Sequence, residues 1–397
     1  MASNVLQSGL EMEWQPAPFA MAEYFTPRRE RLKATLAQEG LDAYVIGQPA
    51  NVTYLTGFSG ESSYLLLGRK QDLVVSDGRF IQQLAEECPG LETHIRPPSQ
   101  PLIEAVAEVL NKLGFRSVGF ESTHMCVADL ETLREKAAGI DWKGGPGRVE
   151  SLRAVKDPSE IDQIREAIHL AQRAFAMFRA MLRPFDTEKE LSDALEMYVR
   201  RAGGRCTSFP SIVAVGERAA LPHAPPTGRR LADADLLLVD WGASGPFYKS
   251  DLTRVLVPHR NSAFNRSESR SSFATRLAEV YPVVLRAQER AIRALRPGAV
   301  AQDIDAEARA EISAAGFGPF FNHSLGHGLG LQVHEAPMLK AGNQTVLQAG
   351  MVVTVEPGIY LPGEGGVRVE DDVLVTPDGC EVLTSVPRDL ESMRGEW

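Results

Sequence analysis

Residues 322–337, NHSLGHGLGLQVHEAP, hold three of the chain's eight histidines, His323, His327 and His334, among three glycines, Gly326, Gly328 and Gly330. Imidazole binds metals and moves protons near neutral pH. The i, i+4 spacing of His323 and His327 first suggests a two-histidine zinc grip on a helix. The glycines argue for a bent, extended backbone instead. His327 and His334 are seven apart, on opposite faces of a regular strand. If both serve one pocket, the chain must bend, and Gly328 and Gly330 are where it can.

Carboxylates stand on both sides in sequence. In LLLVDWGASGPFYKSDLTRVLV (236–257), two apolar runs flank Ser244, Gly245 and Pro246 and predict a β-hairpin. A tight turn at Gly245 and Pro246 sets Asp240 opposite Asp251, with Cβ atoms roughly 5 Å apart. In MVVTVEPGIYLPGEGGVRVEDDVLVT (351–376), Glu356 and Glu370 lie symmetrically about Gly363. Opposed like charges on a strand pair are destabilising, and a cation between them removes the repulsion. Four carboxylates with an imidazole form an oxygen-rich donor set. It suits two manganese-like divalent ions, with cobalt or zinc as alternatives. Two surface hairpins with solvated acids are the competing reading.

The rest of the chain must position these groups. Its 397 residues predict two domains. The net charge of -10 argues against nucleic acid and anionic membranes. No apolar run is long enough to span a bilayer and no signal-peptide pattern opens the chain, so a cytoplasmic location is expected. Cys88, Cys126, Cys206 and Cys380 are scattered, with no CxxC zinc motif.

Residues 1–12 are set aside as a frayed arm or non-native remnant. Residues 13–150 predict an α/β domain: a helix over 27–39 ending at Gly40, strands at AYVIG, SYLLLG, DLVVS and SVGFE, and a helix at PLIEAVAEVLNKLG. WKGGPGRVESLRAVKDPSE reads as a linker. Asp157, Pro158 and Glu160 then open a long helix with a capping box. Residues 155–397 contain a degenerate repeat: two helices then strands, twice, the second pair at about 273–295 and 302–315. That predicts a pseudo-symmetric α+β domain with a site between its halves. Residues 259–272 read as a polar, flexible insert.

The stretches LPHA (221–224), VDWGA (239–243), SDLTR (250–254), GHGLGLQVHE (326–335), TVEPGIY (354–360) and VRVEDD (367–372) together resemble the pita-bread metallopeptidases. NVTYLTGF (51–58) is similar to a stretch of the creatinase-like N-terminal domain of their Xaa-Pro aminopeptidase/prolidase branch. The resemblance implies that Asp240, Asp251, His327, Glu356 and Glu370 hold two metal ions, with Asp251 and Glu370 bridging. It implies that His223, His323 and His334 line the substrate site and that Arg368 supports it. Creatinase relatives, which work without metal, have largely lost these ligand positions; this chain keeps all five. The branch also implies an N-terminal domain serving substrate access and oligomerisation, hence a homodimer.

The implied reaction is hydrolysis of an Xaa-Pro bond by a metal-activated water. His334 would donate to the developing oxyanion, and Glu356 would carry the water's proton to the leaving proline nitrogen. His323 and His223 would shape the proline end. Dedicated dipeptidases of the branch often place an arginine between the second histidine and the first glutamate, where residues 336–355 offer only Lys340. That favours an aminopeptidase acting on longer peptides, with an Xaa-Pro dipeptidase as the alternative. A small-metabolite amidohydrolase or lyase, or a non-catalytic binder, are further readings of the same scaffold. Glu217 and Arg218 depart from the small or amide residues common before His223, so that loop is expected to differ. For Arg368 a plain ion pair with Asp371 or Asp372 is the competing role. His169 and His259 read as surface or packing residues.

Overall fold

The computed structural model describes residues 22–258 and 272–395. The 1–12 arm, His259 and nearly all of the 259–272 insert lie outside the described residues. The chain divides between Gly144 and Gly145 into two compact units.

The first unit is built on a six-stranded sheet of β1 (Ala43–Ile46), β2 (Tyr64–Gly68), β3 (Asp72–Asp77), β4 (Glu92–Arg96), β5 (Ser117–Glu121) and β6 (Asp141–Gly145), in the order β4-β3-β2-β1-β5-β6. Its helices are α1 (Ala22–Gln38), α2 (Pro49–Thr56), α3 (Ile81–Glu87), α4 (Leu102–Leu113) and α5 (Val127–Lys136). The four apolar runs form the inner strands. The edge strands, ETHIR and DWKGG, lack apolar alternation because an edge has less to bury, and sequence pattern passed over both. Helix α1 begins five residues ahead of the expected 27 and runs through Pro27. One face of α4, including Val106 and Leu110, packs with Val45, Leu66 and Val118.

The second unit opens where a linker was expected. β6 and α6 (Arg148–Arg153) occupy that stretch, with Gly147 in the left-handed region before the helix. Arg153 and Lys156 are buried there, which no linker would require. Asp157 then caps α7 (Pro158–Ala180) in the expected capping box with Glu160. α8 (Glu188–Ala202), β7 (Cys206–Thr207), β8 (Ile212–Val215), β9 (Leu237–Trp241), β10 (Ala243–Ser244) and β11 (Leu252–Pro258) complete the first half. The second half runs α9 (Ser272–Ala294), α10 (Ala301–Ala314), β12 (Gly326–Gly328), β13 (Glu335–Leu339), β14 (Val352–Val355), β15 (Gly358–Leu361), β16 (Gly365–Arg368), β17 (Asp371–Thr376), β18 (Gly379–Val382) and β19 (Arg394–Gly395). The two larger sheets run β19-β11-β9-β8 and β13-β12-β14-β17-β18.

The halves repeat the same three-strand core, β8-β9-β11 in one and β12-β14-β17 in the other. Period-two alternation sorts the side chains. Leu237, Val239 and Trp241 pack with the helices α7 and α8, where Trp241 stacks on Phe175. Val353, Val355, Val373 and Val375 share a core with α9 and α10. The alternate positions carry the polar groups: Asp240 in one half, Thr354, Glu356, Glu370 and Asp372 in the other. The repeat extends to the acids. Asp240 lies at the end of its middle strand and Glu356 one residue past its own, while Asp251 and Glu370 each directly precede the third strand.

Gly242, between β9 and β10, lies so close to the facing chain that a Cβ there would meet the Ser250 carbonyl oxygen at 1.8 Å. Gly242→Ala is therefore expected to push apart the two facing segments that carry Asp240 and Asp251. Overpacking of this kind costs about 1–3 kcal/mol. A urea titration reads the loss as a lower midpoint; an unchanged midpoint contradicts the close approach.

Candidate metal centre

In the first hairpin Asp240 pairs with Thr253 and Trp241 with Leu252. The expected direct pairing of Asp240 with Asp251 is corrected by two residues. The turn is not the two-residue Gly245 and Pro246. It spans 245–248, closed by Gly245 N–H donating to the Tyr248 carbonyl at 2.8 Å. A shift of two preserves the face, so the two aspartates sit diagonally on the same side of the pair.

In the second hairpin both ladders keep the register symmetric about Gly363, with Val355 opposite Asp371 and Gly358 opposite Arg368. Between them the ladder opens. Glu356 N–H donates instead to Leu325 O at 2.8 Å, and Glu370 N–H to Thr253 O at 3.2 Å. The strand pair thus parts at its two glutamates, one strand leaning on the histidine segment and the other on the first hairpin.

One ligand atom from each of Asp251, His327 and Glu370 lies within 4.8 Å of the others. His327 Nε2 is 3.4 Å from Glu356 Oε1 and 3.7 Å from Asp251 Oδ2. Its Nδ1 is 3.1 Å from the Gly328 carbonyl, which can only accept, so Nδ1 carries the proton and Nε2 a free lone pair. Burial and then the neighbouring His334 push the His327 pKa down to about 4, leaving it neutral at pH 7. Asp240 joins through Arg368, whose Nη2 donates to Asp240 Oδ2 at 2.6 Å. The same guanidinium donates from Nε to Thr253 Oγ1 at 3.1 Å and from Nη1 to Tyr360 OH at 2.7 Å. Thr253 in turn donates to Glu370 Oε2 at 2.6 Å, and Tyr360 OH lies 2.9 Å from His323 Nε2. His323 Nδ1 donates to Ser324 O at 2.7 Å, and burial, followed by Arg368, lowers its pKa to about 4.

Burial, followed by the mutual repulsion of these acids, pushes Asp251 and Glu370 well above the usual carboxylate range. Burial pushes Glu356 up to about 8 and raises Asp240 in spite of Arg368. Among the described residues, Asp240 Oδ1 is buried with no hydrogen-bond partner. Crowded acids, an orphaned carboxylate oxygen and a neutral imidazole with its lone pair inward fit hard divalent cations. Asp240, Asp251, His327, Glu356 and Glu370 are the residues that could hold them.

A second layer fixes these acids from beneath. Arg254, fully buried, donates from Nη1 to Glu370 O at 2.5 Å and Thr253 O at 2.9 Å, and from Nη2 to Asp371 Oδ1 at 2.7 Å. Gln288 Nε2 reaches Val355 O, Val369 O and Asp371 Oδ2. Asp371 also pairs with Arg388, and Asp372 accepts from Asp251 N–H at 3.1 Å. The competing role for Arg368 is therefore corrected: its partner is Asp240, and Asp371 belongs to Arg254 and Arg388. Sequence reasoning gives no role to Thr253, Arg254 or Tyr360, and none to Asp372 beyond a pair with Arg368. A cation in the apolar strand LTRVLVP and three acids in succession at 370–372 were the available signals.

These groups floor a cavity of about 460 Å³, walled by Phe209, Ile212, Val333 and Met338 and rimmed by the exposed His223 and His334. His323 and Arg368 also line it. The His334 ring stands edge-on to His327 at 4.4 Å between centroids. The departure before His223 has a local cause. Arg218 Nε grips both oxygens of the buried Glu188 at 2.9 Å, and its Nη2 donates to Pro225 O at 2.6 Å, anchoring the loop. His169 is exposed on α7, away from the site.

Residues 162–377 match metallopeptidase family M24, and residues 28–155 match the creatinase/prolidase N-terminal domain. The chain is 33% identical to an Xaa-Pro dipeptidase of Pyrococcus furiosus, over 91% of this chain and 99% of that one. The structure of an Xaa-Pro dipeptidase from Bacillus anthracis superposes with a TM-score of 0.84 at 34% identity, covering 92% and 99% of the two chains. That of an X-Pro aminopeptidase from Thermotoga maritima gives 0.81 at 33% identity, covering 91% and 99%. Fold and sequence thus define a two-domain metallopeptidase with a pita-bread catalytic domain. The chain belongs to the M24 metallopeptidase family.

The crowding has a measurable consequence. At pH 7, chelator-treated Asp251→Asn is expected to be more stable than chelator-treated wild type, by about 1–2 kcal/mol, because the neutral amide removes the cost of either burying the Asp251 charge among other acids or protonating it on folding. Added Mn²⁺ should raise the melting temperature of the wild type and not of the variant. A less stable metal-free variant contradicts the repulsion.

Proposed function

We propose that the protein is an Xaa-Pro dipeptidase, a metallo-exopeptidase whose two divalent ions, manganese first, are held by Asp240, Asp251, His327, Glu356 and Glu370. The observation that carries this reading is the small apolar-walled cavity ending on that acidic floor. About 460 Å³ is at the lower end for ligand sites, which run from roughly 300 to 1,000 Å³, and suits a substrate of two residues. The names of the Pyrococcus and Bacillus relatives support the dipeptide preference over the longer peptides favoured by sequence alone. The aminopeptidase remains the second reading, favoured by the lack of an arginine in 336–355 and by the Thermotoga relative's name.

Bound ions would supply Lewis-acid polarisation of the scissile carbonyl and make water acidic enough to attack near neutral pH. The chain's own groups do the rest. Glu356 takes a proton from the attacking water and delivers it to the proline nitrogen as the C–N bond breaks. That nitrogen carries no hydrogen in the substrate, so it cannot leave as an amine without this proton. His334 donates a hydrogen bond to the oxyanion that develops on the carbonyl. His223 and His323 border the end of the cavity that takes the ring. Arg368 holds Asp240 and, through Thr253, Glu370 in place. The N-terminal unit, expected over 13–150, is proposed to govern substrate access and to form a homodimer. Among the described residues no helix is long and apolar enough to cross a membrane.

Assays with Mn²⁺ should show Xaa-Pro dipeptides cleaved with kcat/KM about tenfold or more above Xaa-Pro-Xaa tripeptides. The reverse preference selects the aminopeptidase, and cleavage of neither sinks both. Glu356→Ala should lower kcat by about 10²–10⁴-fold; retained turnover refutes its role.

A further inference from the structure

A buried charge cluster with no part in the ligand set surrounds Glu335. Glu335, at the start of β13, directly follows His334, and its side chain is 5% exposed. Its Oε1 bonds to Arg153 Nη2 and accepts from Gln332 N–H at 2.9 Å, while Oε2 lies 3.4 Å from Lys156 Nζ. Arg153 Nη2 also donates to Gln332 Oε1 at 3.0 Å. The side chains of Arg153 and Lys156 are 2% and 0% exposed. Residues 330–335 therefore fold around an internal carboxylate gripped by two cations from the segment first taken for a linker.

That loop has no slack. Gly330 N–H donates to Gln332 O at 3.1 Å, and a Cβ on Gly330 would strike the Glu335 carboxylate at 2.7 Å. Lys249 N–H, from the aspartate hairpin, donates to Gly330 O at 3.0 Å. The His334 ring itself is exposed and makes no hydrogen bond among the described residues; it approaches His327 edge-on. Its place is thus set by its backbone, and the backbone by Glu335. Two cations on one buried carboxylate are costly to assemble and strongly destabilising to break, which suits a part that must not move.

We propose that the Arg153–Glu335–Lys156 triad is a positioning device that fixes His334 over the metal centre, an inference that rests on the substrate-side reading of His334. Glu335 acts through the histidine and touches no substrate. A misplacement of about 1 Å at a catalytic group can cost about 10²-fold in rate.

The test is a double-mutant cycle on the full chain with Mn²⁺ and an Xaa-Pro dipeptide, using Glu335→Gln and His334→Ala singly and together. Glu335→Gln should lower kcat about tenfold or more when His334 is present, and less than about twofold when position 334 is already alanine. Equal losses in both backgrounds overturn the proposal. If Glu335→Gln does not accumulate folded, Lys156→Met, which spares the Arg153 bond, takes its place in the cycle with a smaller loss of the same pattern. A second readout needs no turnover. In metal-free protein labelled with ¹³C-histidine, the His334 resonance, identified by its loss in His334→Ala, should shift or split in either variant while that of His223 stays. An unmoved His334 resonance overturns the proposal. Failure of wild type to cleave Xaa-Pro would defeat the dipeptidase reading alone, since the resonance still decides the positioning role.

Discussion

Like-charged carboxylates buried within a few ångströms of one another are the constraint on which the rest of the second unit depends. Burial and mutual repulsion both oppose their ionisation. Such groups stay together only if their backbones are held by something stronger than the repulsion. Here that is the layer of Arg254, Asp371 and Gln288, which joins Thr253 and Glu370 to the backbones of Val355 and Val369. Arg254 carries its charge in a fully buried position because five acceptors surround it. The arrangement is prepared for cations rather than merely tolerant of them.

The internal repeat explains how two separate hairpins supply this cluster. Each half offers one acid near the end of its middle strand and one just before its third strand. Glu370 N–H then closes the gap by bonding across to Thr253. The histidine segment enters from the second half, its Gly326 so close to Thr354 that a Cβ would meet the carbonyl at 2.0 Å. Glycine is needed there for approach, while the bend expected from sequence falls at Gly328 and Gly330. The bend after Gly328 is also real, and it brings His334 back beside His327.

Much of this was legible in residue order. Acids interrupting valine-rich strands marked the centre, and the symmetry about Gly363 gave the second hairpin its register. The first hairpin slipped by two because a tight turn at Pro246 was assumed, while the chain used a four-residue turn. Face assignment survived that slip, since strand periodicity is two. What stayed hidden depended on partners distant in sequence. Arg254 and Asp371 are 117 residues apart, and Arg153 and Glu335 are 182 apart. A Gly/Pro-rich stretch such as 142–160 looks like a connector until Glu335 shows what its cations are for.

The central claim, that these acids form a two-ion centre, is tested most directly by anomalous diffraction from crystals of the full chain grown with Mn²⁺. The account predicts two peaks about 3.5–4 Å apart, with Asp251 and Glu370 touching both. A single peak, or manganese bound away from Asp240, Asp251, His327, Glu356 and Glu370, would contradict it.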